Sequence, residues 1–225
     1  MTVVHVFAGG DPVTSERIER LGPADLVIAA DSGADIAAAA AVTVDILVGD
    51  LDSISASAME RIFDGETVIE AHSPDKDATD LELALEVALR NDPHEIVFVG
   101  GGGGRLDHLL GNVGVIGSPA ARHVRVSWVM ERETAHVIRG SRSIATTPGQ
   151  LFSLIPIGGD AGGVHIRHAR WPLRDASLRV HGSVGISNVA SREEVEIEVA
   201  EGAVLAIFNQ GRSASASQIQ QSTGG

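Results

Sequence analysis

Residues 45–55 read DILVGDLDSIS, and residues 72–80 read HSPDKDATD. The run Ile46, Leu47, Val48 is short, apolar and closed by a glycine, so it reads as a buried strand opening into a loop that carries Asp50 and Asp52. If the backbone stays extended there, an i, i+2 pair directs both carboxylates to one side. Two carboxylates about 5 Å apart repel by roughly 3 kcal/mol at an effective dielectric near 20. A bound cation removes most of that cost, and magnesium is the hard ion expected for carboxylate oxygens next to phosphates. Asp75, Asp77 and Asp80 stand beside a second turn rather than along a solvated helix face.

The same strand-then-turn pattern repeats on either side. Residues 3–7 are β-rich and end in Ala8, Gly9, Gly10, Asp11; residues 26–30 form a second strand ending in Asp31, Ser32, Gly33. Strands are also expected near 67–69 and 96–99, with helices over 15–21, through the alanine-rich stretch after Gly33, and over 77–89. Strands alternating with helices predict an α/β domain with a mostly parallel sheet and flanking helices over residues 1–120. Loops at the carboxyl ends of such strands collect ligands, so Gly9 and Gly10, Asp31, Asp50 with Asp52, and residues 100–107 are candidates to converge on one cleft.

Gly100 to Gly104 form an unbroken glycine run followed by Arg105, Leu106, Asp107 and His108. Neither the dinucleotide fingerprint nor the Walker A loop is matched. Side-chain-free backbone at Gly103 and Gly104 can approach phosphates, Arg105 can add bidentate contacts, and Asp107 can assist a cation or orient an attacking hydroxyl. A plain structural turn accounts for the glycines equally well. Asp31, Asp77 or Thr79 could each be an ordinary N-cap, Asp80 a first-turn acid, Lys76 a neutralising neighbour of the aspartates or a phosphate ligand, and His108 a satisfied helix residue.

Composition narrows the classes. Lys and Arg number 17 against 30 Asp and Glu, a formal net charge of −13, which argues against a nucleic-acid backbone as partner. No apolar run approaches the roughly 18 residues of a membrane span, so no membrane contact is expected. The opening MTVVHVFAGG reads as a first strand rather than a secretory leader, and the cysteine-free sequence fits a cytoplasmic protein. The nine histidines show no tight zinc-ligand spacing.

Beyond residue 120 the pattern changes to short β segments with glycine-rich turns, which predicts an all-β sandwich over residues 121–211 and a disordered tail over 212–225. Strands are expected at 125–129, 135–138, 143–146, 151–155, 164–166, 178–180, 193–199 and 204–208. Trp171 reads as core or as a platform for a flat ligand, and Ser187 with Asn188 as an ordinary turn or as hydrogen-bonding partners of a polar heterocycle.

Taken together, ADSGAD at 30–35, ILVGDLDSIS at 46–55, DKDATDLELAL at 75–85 and GGRLDHLLGN at 103–112 resemble the thiamine pyrophosphokinase family, and LFSLIPIGG, WPLRDASL and GSVGISN in the second half do so as well. The resemblance implies ATP-dependent transfer of a pyrophosphoryl group to the hydroxyl of thiamine, giving thiamine diphosphate and AMP. It also implies a homodimer with sites near the subunit interface, and a β domain serving thiamine binding and dimerisation. On this basis Asp50, Asp52, Asp77 and Asp80 are expected to hold Mg2+ and, with Arg105 and Asp107, to serve catalysis. Asp31, Lys76, Gly103, Gly104, Arg105, Trp171, Ser187 and Asn188 are expected to bind substrates. Ser32 replaces the middle glycine of the commoner DGG segment. A magnesium-dependent nucleotide phosphohydrolase and a noncatalytic nucleotide-binding module are the alternatives.

Overall fold

The structure is a computed structural model that describes residues 1–73 and 77–213. The chain divides into two compact units, Met1–Glu131 and a second beginning at Arg132. No helix among the described residues is long and apolar enough to cross a membrane.

Among the described residues of the first unit, six strands alternate with five helices: β1 Val3–Ala8, α1 Ser15–Glu19, β2 Leu26–Ala30, α2 Gly33–Ala39, β3 Ile46–Gly49, α3 Ala56–Asp64, β4 Val68–Ala71, α4 Asp80–Arg90, β5 Glu95–Gly100, α5 Leu106–Ile116 and β6 Arg125–Val129. All neighbouring strands pair in parallel in the order β4, β3, β2, β1, β5, β6. Strands covered by helices on both faces must be apolar throughout, which is why VVHVFA and EIVFVG read as near-continuous hydrophobic runs. Phe7, Ala29, Leu47, Val97 and Val99 meet Ile36, Ala37 and Ile62 of the helices in one buried cluster.

The order of strands reverses between β1 and β5. From β1 the chain builds outward through β2, β3 and β4, then returns to the other side of β1 to lay down β5 and β6. A crevice opens at the carboxyl end of the sheet at such a reversal.

Residues 125–129, expected as the first strand of the all-β half, instead pair in parallel with β5 from Glu95↔Arg125 to Val99↔Val129. The intervening α5 supplies the crossover that a parallel pair requires.

The second unit contains β7 Glu133–Ala145, β8 Gln150–Pro156, β9 Ala161–Arg167, β10 Leu173–Leu178, β11 Asn188–Val189 and β12 Glu194–Ser213. Residues 193–199 and 204–208 read in the sequence as two strands, and Glu201-Gly202 between them has the composition of a turn. They are one strand, antiparallel to β7 along nearly its whole length, and the turn is a bulge between Val199 and Val204. At that bulge β12 changes its other neighbour, pairing with β9 through residues 196–201 and mainly with β8 from Val204 onward. A core of Ile138, Phe152, Leu154, Ile166, Ile197 and Phe208 fills this unit, with Phe152 and Phe208 stacked at 5.1 Å.

Candidate active site

Four acidic side chains gather beyond the carboxyl ends of β2 and β3. Carboxylate oxygens of Asp31, Asp50 and Asp52 lie within 4.8 Å of one another. Asp31 follows β2 with φ 45°, and its amide donates to Val48 O at 2.8 Å, which ties its loop to β3. Asp50 and Asp52 converge through a turn and not through the extended backbone expected. Leu51 between them has φ 68°, and the Asp52 amide folds back onto Asp50 Oδ1 at 3.3 Å. Left-handed backbone at two non-glycine residues is sterically costly, and such strain concentrates at functional sites.

Asp80 joins from the first turn of α4, where Thr79 caps the helix by accepting from Glu82 N at 3.3 Å. Gly49 makes room for this meeting: with φ 148°, a Cβ built on it would stand 3.1 Å from Asp31 Cβ and 3.2 Å from Asp80 Oδ1. Asp50, foremost, then burial, Asp31 and Asp80 push the Asp52 carboxyl above its ordinary range. Asp31 is buried, one of its oxygens accepts from Ser53 Oγ, and the other, Oδ1, is buried without a partner. An orphaned carboxylate oxygen among three further carboxylates is the donor set and charge deficit that a hard divalent cation fills.

Across the crevice, the loops after β1 and β5 are zipped together. Asp11 N donates to Gly102 O at 2.8 Å and Gly101 N to Ala8 O at 3.0 Å, while a Cβ at Gly10 would collide with Gly102 O at 2.5 Å. Gly100, Gly101, Gly103 and Gly104 all have φ between 65° and 85°. The resulting cleft, about 640 Å³, is lined by Gly9, Asp31, Asp50, Asp80, Gly103, Gly104, Arg105, Asp107 and neighbouring residues. Arg105 grips Asp107 with two donors, Nε at 3.1 Å and Nη2 at 2.5 Å, and this holds the Asp107 carboxyl down at about 2.

Asp31, Asp50, Asp80, Gly103, Gly104, Arg105 and Asp107 are therefore brought together, with Asp52 joined to Asp31 and Asp50. Asp77 is exposed ahead of α4 and is not among the residues lining the cleft. Lys76 lies outside the described residues, as does residue 214 onward of the tail expected over 212–225; residues 212 and 213 of that stretch instead continue β12. Ser53 and Asn112 also line the cleft. Both stand inside the quoted motifs, yet only the fold shows them facing it.

In the second unit, Trp171 is 42% exposed with the Arg170 guanidinium 4.8 Å from its ring centroid. Ser187 is exposed with φ 59°, its amide bound to Ser153 Oγ at 3.0 Å. Asn188 is buried, and its side-chain amide is engaged with the backbone of Trp171.

Comparison with known proteins agrees in both units. The family described as "Thiamin pyrophosphokinase, catalytic domain" matches residues 19–128, and that described as "Thiamin pyrophosphokinase, vitamin B1 binding domain" matches residues 135–204. Among curated proteins, "Thiamine pyrophosphokinase 1" of Oryza sativa subsp. japonica is 30% identical over 165 residues, covering 68% of this chain and 61% of that protein. "Thiamine pyrophosphokinase" of Bacillus subtilis (strain 168) is 26% identical over 161 residues, covering 71% of this chain and 75% of that one. The match thus spans less than two thirds of the rice relative's length. Among solved structures, the thiamine pyrophosphokinase of Bacillus subtilis superposes with a TM-score of 0.81 at 22% identity, covering 95% of this chain and all of the other. The Candida albicans thiamin pyrophosphokinase gives 0.73 at 14% identity, covering 92% and 88%; at these identities the likeness is one of fold.

Proposed function

This chain belongs to the thiamin pyrophosphokinase family, and we propose that it transfers the pyrophosphoryl group of ATP to the hydroxyl of thiamine, giving thiamine diphosphate and AMP. The observation that carries the reading is the cleft itself. A gathered set of carboxylates on one wall faces a glycine loop with an arginine on the other, at the reversal point of a parallel sheet. Acidic groups alone would repel a triphosphate. Opposed to glycine amides and Arg105, they form a site for a metallated one.

Asp31, Asp50, Asp52 and Asp80 are the residues that would hold Mg2+. Such an ion, when bound, neutralises phosphate oxygens and the charge that develops on the leaving AMP. The hydroxyl oxygen of thiamine attacks the β-phosphorus of ATP, the bond from that phosphorus to the bridging oxygen of the α-phosphate breaks, and AMP departs with that oxygen. Gly103 and Gly104 offer backbone amides to the phosphates, and Arg105 supplies a guanidinium that Asp107 holds in orientation. A carboxyl held at about 2 is a poor base, so Asp107 serves this transfer by aiming Arg105. Alignment of hydroxyl and phosphorus then carries more of the rate than proton removal, in which the hydroxyl proton passes to solvent late, as the new bond forms.

Thiamine is assigned to the second unit, with Trp171 as a stacking surface and Ser187 as a polar neighbour. The functional chain is proposed to be a homodimer with sites near the subunit interface. Leu106 and Leu110, one helical turn apart on α5, are 69% and 61% exposed on the same helix that lines the cleft through Asp107, His108 and Asn112, which supports a partner surface there. A cytoplasmic location is part of the same proposal, compatible with a sequence that has no cysteine to oxidise.

A product assay with ATP, magnesium and thiamine tests the reading. Thiamine diphosphate and AMP should form one to one, and neither should form when thiamine is omitted. ADP with thiamine monophosphate, or phosphate release without thiamine, would overturn it.

A further inference from the structure

The glycine loop does not hold its own shape. Four left-handed glycines in five residues give a segment with many accessible conformations, and ordering it costs more entropy than ordering any other residue type. Two side chains from different elements fix it. Trp128 of β6, 2% exposed, donates its indole Nε1–H to Gly100 O at 2.6 Å. Asn112 of α5 donates from Nδ2 to Gly101 O at 2.8 Å. Both donors close on the same point, since a Cβ built on Gly101 would stand 3.2 Å from Asn112 Nδ2 and 3.7 Å from Trp128 Nε1. The next carbonyl, Gly102 O, accepts from Asp11 N. Three successive carbonyls are thus turned into the protein, while the amides of Gly103 and Gly104 have no acceptor among the described residues.

We infer that Trp128 and Asn112 are positioning residues for the transfer reaction: by tying down the carbonyls of Gly100 and Gly101 they pre-set the loop whose following amides receive the phosphates of ATP. Neither side chain needs to touch substrate. A loop already fixed in the binding geometry spares the substrate the ordering cost that a free glycine run would charge against affinity. The inference rests on reading the cleft as a triphosphate site, and its test separates the two.

Trp128→Phe keeps an aromatic ring in the core and removes the donor, together with part of the indole's volume, so its melting temperature is read beside its affinity. Asn112→Ala removes the other donor from a partly exposed helix position that alanine suits. Each change is expected to weaken MgATP binding about five- to tenfold, by titration calorimetry and as KM for ATP, while KM for thiamine stays put. The double variant should lose less than the product of the two factors, because both donors serve one loop. A purely structural role predicts lower melting temperatures with unchanged MgATP affinity, and affinities within twofold of the unaltered chain in both single variants would overturn the inference. If Trp128→Phe does not fold, Asn112→Ala decides alone. Weakened MgATP binding in a chain that makes no thiamine diphosphate would uphold the loop assignment and overturn the activity.

Discussion

The side-chain amide of Asn188 clasps the backbone of Trp171 from both ends: Oδ1 accepts from Trp171 N at 3.1 Å, and Nδ2 donates to Trp171 O at 2.7 Å. The same oxygen also accepts from Val189 N at 2.8 Å. The amide thus imitates a strand partner for a residue that lies outside the regular ladder, and it fixes where the indole stands.

Asn188→Ala should therefore destabilise the protein by about 1–3 kcal/mol, the cost of leaving the part-buried Trp171 groups and the buried Val189 amide without this partner. Denaturant unfolding measures this. KM for thiamine should rise with little change in KM for ATP, since the effect on substrate passes through Trp171.

At the acidic cluster, function and stability should pull in opposite directions. A carboxyl whose folded-state range is raised, as that of Asp52 is by Asp50, destabilises the native state when ionised, so the penalty is present at neutral pH and fades as pH falls and the group protonates. Asp52→Asn is expected to raise the melting temperature of metal-free protein at pH 7.5, with the gain shrinking toward pH 4. The same substitution, and Asp50→Asn, should lower magnesium-dependent kcat by at least about a hundredfold, the scale seen when one charge-stabilising group is removed. Near-native turnover at saturating magnesium would remove both residues from the site.

Gly49→Ala tests the close approach behind that cluster. The new methyl would press on Asp31 and Asp80 from a backbone at φ 148°, so activity should fall steeply. The stability cost should be about 1–3 kcal/mol from the strained backbone. Thermal melts and kcat on one preparation separate the two effects.

Two histidines set an acid limit on the fold. Burial, with Arg142 second, pushes His136 down to about 3, and burial lowers His5 against the opposing charge of Glu95. In the unfolded chain His136 takes up a proton below about 6.5, and in the folded chain only near 3. Stability therefore falls as pH drops, by up to about 1.4 kcal/mol per pH unit for His136, and the lowered His5 acts in the same direction. His136→Phe should flatten the slope of unfolding free energy between pH 6.5 and 4.

The exposed leucines of α5 give a test of assembly. Leu110→Glu is expected to convert a dimer to monomer in sedimentation or light scattering, with no loss of helix content, because the residue is 61% exposed within its own chain. An unchanged mass would move the contact elsewhere.

The parallel sheet was legible because buried strands announce themselves as apolar runs ending at glycine or aspartate, as residues 46–49 do. Asp50 and Asp52 were legible as a pair, but the left-handed Leu51 that joins them was not, because a leucine carries no turn signal. The place of Asp31 among the clustered acids depends on the β2–β3 register, a long-range pairing that local spacing cannot encode. Residues 125–129 looked like the rest of the β-rich half. Only their pairing with β5 places Trp128 against the glycine loop. Glu201-Gly202 carries good turn chemistry, and the continuous register with β7 turned it into a bulge instead.

That bulged strand has a consequence for how the chain is made. The first unit holds all its strands by residue 129, so it can fold while synthesis continues. The second cannot: β12 is the last of its described strands, and it is the shared neighbour of β7, β8 and β9. A premature stop before residue 204 would leave β8 without its long partner and Phe152 without Phe208, releasing a half-built product with bare sheet edges for proteases and chaperones to deal with.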